Sequence, residues 1–414
     1  MLALFLPGIF LLGFNIGTGS VTSMAKAGAD YGMSLLWAIV ASCLATFFMI
    51  SVYSRYTLVT GETALQAFRK HIHPAVGIFF ILALTAGVSG SVMGVMGIVA
   101  EVCSEWSKSM IDGGISPVFF AGLFVALVYF IFWNGETQIF QRSLAVLVAI
   151  MAACFLGNFF IMMPPPAEML NGLIPQLPEV SEDKNPFLVI ASMVGTTVFS
   201  GLFIIRTTLV QEAGWTIADF GKQRNDAIVS TFMMFVISGS IMAAAAATLH
   251  AEGLVLKDAW QMIGLLEPLA GPLATALFAI GIVAAGVSSQ FPNVLMLPWL
   301  LCDYNQSKRD MKLPQYRIMV LLISLLGLVV PIFGARPVFV MILSQAFNSV
   351  ILPVTVACIL YLGNRRDLMG EHKFSKFTNI ILVAILVFSI VTSWMGFEGL
   401  MRTIEKANQT VSLL

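Results

Sequence analysis

The sequence predicts an all-α membrane protein made of two five-span halves of opposite topology, each opening with a broken helix. Three observations predict it. Of 414 residues, 58% are hydrophobic and only 11% charged, with a mean hydropathy of +0.91; a soluble domain carries about twice that share of charge. Apolar runs of about 20 residues, the length that crosses a bilayer, recur along the whole chain. Two of these runs, five apart in order, are interrupted by glycines and small hydroxyl residues, which points to inverted repeats with a solute site between them.

The first run is interrupted in its middle by Asn15-Ile16-Gly17-Thr18-Gly19-Ser20. Glycine costs roughly 1 kcal/mol relative to alanine inside a helix, and opened backbone at membrane depth is tolerated only where it lines a protein cavity. Spans follow at Met33–Tyr53, Ala75–Trp106, Pro117–Trp133 and Ile139–Met163, then a Pro-rich loop with Glu168, Glu179, Glu182 and Asp183. The second half opens with Phe187–Val210, broken at Gly195-Thr196-Thr197-Val198-Phe199-Ser200-Gly201. It continues with Ile228–His250, Pro272–Leu301, Ile318–Phe333 and Pro337–Leu362, and Phe377–Met395 is an eleventh span. The expected division is 1–163 for the first repeat, 164–186 for the loop, 187–362 for the second repeat, and 363–414 for a loop, the last span and a short tail. Either break alone is also compatible with a small-residue packing face; two in register favour a transporter.

Charge sets the expected orientation. Alternate connections carry 14 Lys/Arg in one set, including Arg69, Arg142, Lys222, Arg317 and Arg365, against seven in the other: Lys26, Lys108, Lys184, Lys257, Arg336, Arg402 and Lys406. The bias places the first set and the N-terminus in the cytoplasm of an inner (plasma) membrane, with the Pro-rich loop and the C-terminus outside. The first run lacks a basic leader and a small-residue cleavage site, so it reads as a mature span. Zero net charge gives no reason to expect a nucleic-acid partner. The expected partners are the lipid bilayer and a small-molecule or ion substrate, with the chain as a monomer. The five cysteines (Cys43, Cys103, Cys154, Cys302 and Cys358) have neither metal nor redox spacing. No nucleotide-binding or hydrolase motif is present, so an enzyme is not expected.

Several segments resemble NRAMP metal transporters. Gly13–Trp37, with Ala27-Gly28-Ala29-Asp30-Tyr31-Gly32 and Leu35-Leu36-Trp37, is similar to the family's first two spans. Leu58-Val59-Thr60-Gly61-Glu62 with Arg69 resembles its loop after span two. Gly195–Gln211 resembles span six, Gly286-Val287-Ser288-Ser289 span eight, and Leu343-Ser344-Gln345 with Leu352-Pro353 span ten. The resemblance implies a LeuT-type fold with eleven spans. The family's metal ligands do not carry over with it. Its Asp-Pro-Gly-Asn break aligns with Gly17, Thr18, Gly19 and Ser20, and its Ala-Thr-Val-Met-Pro-His with Thr196, Thr197, Val198, Phe199, Ser200 and Gly201. An acidic position of span three aligns with Ile98; Gln345 and Glu101 remain.

A dehydrated divalent cation needs compensating charge, whereas half-helix N-termini and hydroxyl groups suit an anion. The expected substrate site therefore comprises Asn15, Gly17, Thr18, Gly19, Ser20, Thr196, Thr197, Phe199, Ser200, Gly201 and Gln345. The expected cargo is a small anion such as bicarbonate, a short carboxylate or an amino acid, coupled to Na⁺ or H⁺. The alternative is retained transport of Mg²⁺ or Mn²⁺. Ser288 and Ser289 resemble the hydroxyl pair that binds Na⁺ in sodium-coupled relatives of the fold, or they serve interhelical packing. No other cofactor is expected. Arg206 is either a cation near the pathway or a snorkelling residue paired with an acid such as Glu212. Glu101 is either a proton relay or an interfacial carboxylate beside Glu105 and Lys108.

Overall fold

The computed structural model describes residues 17–133 except 109, 163–265 except 182 and 183, and 274–412 except 308, with scattered positions between 134 and 162. Asn15, the lead-in to the first break and most of the fifth expected span lie outside the described residues. All regular structure among the described residues is helical. Eight helices there are long and apolar enough to cross a membrane. Alongside these run the 14-residue helix after the first break and the 17-residue apolar helix Pro117–Trp133.

In chain order the main helices are α1 (Thr18–Tyr31), α2 (Leu36–Thr60), α3 (Pro74–Ser107), α4 (Pro117–Trp133), α5 (Pro186–Thr197), α6 (Ser200–Glu212), α7 (Phe220–Ala245), α8 (Ala274–Asn305), α9 (Pro314–Leu325), α10 (Pro337–Asn364) and α11 (Lys376–Ser412). Local chemistry sets many of the ends. α2 stops at Gly61, whose φ of 70° is left-handed and whose N–H donates to the Thr57 carbonyl. α3, α5, α9 and α10 each begin with proline in the first turn, where a missing N–H costs nothing. The second expected break is real and tighter than its glycines suggest. α5 and α6 are separated by only Val198 and Phe199.

Helix lengths correct two expectations. The seventh span begins at Phe220, not Ile228, because a polar first turn led by Asp219 continues directly into the apolar run. The last helix runs to Ser412, well past Met395; Arg402 and Glu398, paired at 2.9 Å, ride on its polar extension.

α10 and α3 form the centre of the bundle. Gly87, Gly90 and Gly94 lie on one face of α3, and a Cβ on each would press into Asn348, Ser344 and Met341 of α10. This small-residue stripe lets the two backbones approach closely. Polar groups tie the seam, with the Ser344 hydroxyl donating to the Gly87 carbonyl at 3.0 Å and sharing a hydrogen bond with Ser91 at 2.9 Å. α5 packs on the other side of α10, where Gly195 sits directly on the Gln345 carbonyl.

Candidate functional site: a neutral cavity at the two helix breaks

The start of α1 and the α5–α6 break face one another across a cavity of about 40 Å³. Gly17, Gly19 and Ser20 line it from α1, and Thr196 and Phe199 from the second break. Ser289 and Asn293 reach it from α8, Ser91 and Val95 from α3, and Gln345 and Asn348 from α10. Every described lining residue is uncharged. At roughly 10–15 Å³ per water, the space holds about three waters.

Both helices that begin at the cavity begin without a side-chain cap: α1 follows Gly17, and α6 follows Phe199. Among the described residues no side chain caps their first-turn N–H groups, although the Leu202 N–H donates to the Phe199 carbonyl at 3.0 Å, and each start carries a partial positive charge. At the opposite pole one carbonyl is engaged: that of Thr197, the last residue of α5, accepts from the Thr46 hydroxyl at 2.7 Å. Among the described residues no hydrogen bond engages the side chains of Ser20, Thr196 or Asn293, which leaves these polar groups available to a solute. The Gln345 amide is positioned by donation to Ser91 Oγ at 3.0 Å and by Met341 Sδ at 3.4 Å. Among the described residues the buried Asn348 Oδ1 has no hydrogen-bond partner.

A family description of natural resistance-associated macrophage protein-like (Nramp) chains matches residues 9–397. The chain belongs to the Nramp family. Among relatives, the divalent metal cation transporter MntH of Bradyrhizobium diazoefficiens is 24% identical over 405 residues, covering 94% of this chain and 87% of the relative. MntH of Clostridium acetobutylicum is 23% identical over 399 residues, covering 93% and 89%. Among solved structures, the Eremococcus coleocola manganese transporter in complex with an aromatic bis-isothiourea compound superimposes with a TM-score of 0.74 at 16% identity, covering 95% and 85%. MhsT in complex with L-phenylalanine gives a TM-score of 0.59 at 16% identity, covering 95% and 98%. At such identities these structures show the fold alone, which is LeuT-type. The protein is thus an integral membrane transporter of the Nramp family.

The cavity gathers Gly17, Gly19, Ser20, Thr196, Phe199, Ser289 and Gln345 from the expected set. Four others point elsewhere. Thr18 buries its hydroxyl near Gly286 of α8, without a hydrogen-bond partner among the described residues. Thr197 turns its hydroxyl back to the Met193 carbonyl at 2.8 Å. Ser200 accepts from Thr355 at 2.7 Å, and Gly201 packs against Phe199 and Met296. Ser288 and Ser289 both donate to the Ala285 carbonyl, at 2.9 and 2.8 Å, and only Ser289 lines the cavity.

The two charged candidates lie away from the cavity. Arg206 is fully buried and pairs with Asp226 of α7 at 2.6 Å, not with Glu212. Its Nε donates to Ser54 Oγ at 3.2 Å and its guanidinium faces the Trp215 ring at 5.6 Å. Glu212 instead pairs with Arg309. Glu101 accepts from the Ala259 N–H at 3.2 Å and so tethers the connection before α8. Sequence reasoning missed Ser91, Asn293 and Asn348. Asn348 lies three residues after Gln345 and Asn293 four after Ser289, spacings that share a helix face.

Proposed function

We propose that this Nramp-family chain is a secondary transporter whose central cavity takes a small anion, bicarbonate or a short carboxylate. The observation that carries the reading is the pair of uncapped helix starts, at Thr18 and Ser200, opening on an uncharged polar cavity. Each start contributes roughly 0.3–2 kcal/mol toward an anion, depending on burial. Ser20, Thr196, Asn293 and Gln345 supply hydroxyl and amide donors. An anion of three or four non-hydrogen atoms displaces about the three waters that the cavity accommodates.

The relatives' names favour a second reading, in which the cargo is a divalent cation. Without a carboxylate among the described lining residues, such an ion has to keep water to offset its charge. A full shell of six waters needs roughly 60–90 Å³, more than the cavity offers. A divalent ion would therefore enter partly dehydrated, held by Ser20, Asn293, Gln345 and Asn348 oxygens, with the Met341 thioether close by.

Coupling to Na⁺ or H⁺ belongs to the same proposal. The hydroxyl oxygens of Ser288 and Ser289 keep lone pairs after donating to Ala285, and a monovalent ion is satisfied by neutral oxygens. The proposal retains the two repeats over 1–163 and 187–362, a cytoplasmic N-terminus and a monomeric chain.

Thermal stability of the purified chain in a neutral detergent tests the cargo. Bicarbonate, formate and acetate would be compared with Mn²⁺ and Mg²⁺ at fixed pH and ionic strength, in Na⁺ or in choline. A ligand at about a hundred times its dissociation constant stabilises by about 2.7 kcal/mol. A saturable shift with one anion, larger in Na⁺, is the expected result. A saturable shift with Mn²⁺ or Mg²⁺ and none with any anion would replace the first reading with the second.

A further inference from the structure

Below the central cavity, α8 runs on toward the end that charge bias assigns to the cytoplasm. Ser289 and Asn293 line the cavity. Met296, close to Gly201 of the second break, the buried Leu300 and then Asp303 follow at steps of three and four residues, the spacing of one helix face. Asp303 lies ten residues beyond Asn293, about 15 Å along the axis.

Asp303 is only 7% exposed. Its Oδ1 accepts from the Thr63 hydroxyl at 2.6 Å. Among the described residues its buried Oδ2 has no hydrogen-bond partner, and no charged side chain acts on the carboxyl. The titratable groups on the elements packed around this end of α8 are engaged elsewhere. In the connection after α2, Glu62 pairs with Lys70 and His71, and Arg69 donates to the Tyr304 carbonyl at 2.7 Å. On α6, Arg206 pairs with Asp226, and Glu212 with Arg309, which follows α8. Arg317 of α9 donates to the Trp133 carbonyl at 3.3 Å, and His73, just before α3, accepts from the Ala75 N–H at 3.2 Å.

Thr63 belongs to a strap between two helices. It opens the short helix Ala64–Ala67 with a capping box. The adjacent Ala64 N–H donates to Thr207 Oγ1 of α6 at 2.9 Å, and the Gly61 carbonyl accepts from Gln211 of α6 at 2.7 Å. Residues 61–64 therefore tie α8 to α6, the half-helix that starts at the second break.

We propose that Asp303 is a proton-binding site and that its charge state sets how firmly this strap holds α8 and α6 together. The role rests on the transport reading but not on the identity of the cargo. An ionised carboxylate is costly to bury without a cation or a full set of donors, and Asp303 has one donor. A proton taken from the adjoining water onto Oδ2 removes the charge and leaves Oδ1 as the carbonyl acceptor for Thr63. A hydrogen bond to a charged acceptor is roughly twice as strong as one to a neutral acceptor. Protonation thus loosens the strap and frees α6 to move beneath the second break.

The test uses the full chain in phosphatidylcholine nanodiscs, comparing wild type with Asp303→Asn, which has the shape of the neutral acid. Infrared difference spectra between about pH 8 and pH 4, a span that includes the ordinary carboxyl range, should show a protonated-carboxyl band in wild type that Asp303→Asn lacks. Backbone hydrogen exchange over residues 61–67, corrected for its intrinsic pH dependence, should be about ten-fold faster in Asp303→Asn at neutral pH. Wild type should approach that rate on acidification. Thr63→Val should exchange like Asp303→Asn, and Thr63→Ser, which keeps the hydroxyl, like wild type. Identical spectra in wild type and Asp303→Asn would overturn the proton site. Acid-dependent exchange that survives in Asp303→Asn would assign the response to Glu62 or His71 and overturn it too. Uptake of labelled bicarbonate and of Mn²⁺ by vesicles is read separately: transport of neither would overturn the transport reading and, with it, the role of the strap.

Discussion

Gly17 abuts Ser289, so closely that a methyl group on the Gly17 Cα would overlap the Ser289 Cβ and lie 2.9 Å from its hydroxyl. The contact joins the start of α1 to α8 at the wall of the central cavity. It explains why a residue without a Cβ stands at the first break, beyond any need for chain flexibility. Gly17→Val should lower transport at least about ten-fold, because overpacking a tight contact costs roughly 1–3 kcal/mol. Gly17→Ala should lower thermal stability through the same contact, and combining it with Ser289→Gly should recover most of that stability. Uptake by vesicles containing Gly17→Val checks the first expectation and thermal denaturation of the single and double alanine variants the second; a double variant no more stable than Gly17→Ala would dissociate the defect from this contact.

Gln345 is held for its task by Ser91. Removing the hydroxyl in Ser91→Ala deletes the hydrogen bond that positions the Gln345 amide, typically about 1 kcal/mol, together with the Ser344 and Gly87 contacts, and should raise the KM about five-fold. Gln345→Leu removes the Gln345 amide itself and should raise it further. The KM series, with kcat followed separately, distinguishes a positioning residue from a ligand.

The Arg206–Asp226 pair is structural in this account. Asp226→Asn leaves a fully buried cation without its carboxylate and should destabilise by about 3–5 kcal/mol. Replacing both partners by apolar residues, Arg206→Met with Asp226→Leu, should restore most of that stability. Thermal denaturation in detergent checks the order. If the double variant is stable yet loses transport, the pair also serves the pathway.

Glu62, in the connection after α2, is a pH reporter. Burial acts to raise its pKa, but hydrogen bonds from Lys70 at 2.5 Å and His71 at 2.8 Å, with their charges, outweigh it and hold the carboxyl below its ordinary 4.5. A depressed folded-state pKa means the stabilisation is complete above the unfolded value and is lost as pH falls through the folded one. Stability should therefore decline below about pH 4.5 with a steeper slope in wild type than in Glu62→Gln. Equal slopes would remove Glu62 from the acid response.

Much of the fold is legible in the sequence, because hydropathy reports depth in the membrane directly. The spans and both breaks follow from run length and from glycine placement, as at Gly195, which sits on the Gln345 carbonyl. Azimuth is harder to read. Thr18 and Ser20, or Thr196 and Thr197, are close in sequence but point to different neighbours, since successive residues turn by about 100° around a helix axis. A break therefore marks the site without saying which of its side chains enter it. Ser91, Asn293 and Asn348 sit inside helices that show no break at those positions, and only packing turns them inward. Asp226 escaped notice as a partner of Arg206 because the polar opening of α7 reads as loop.

The most direct measurement is flux. Vesicles containing the purified chain would be given labelled bicarbonate or Mn²⁺ under an inward Na⁺ gradient, with Gly17→Val as the blocked control. The account predicts saturable bicarbonate uptake that the control loses and that falls when choline replaces Na⁺. Saturable Mn²⁺ uptake with no bicarbonate uptake above the control would contradict it, and would mean that this neutral cavity carries the divalent cargo named for its relatives.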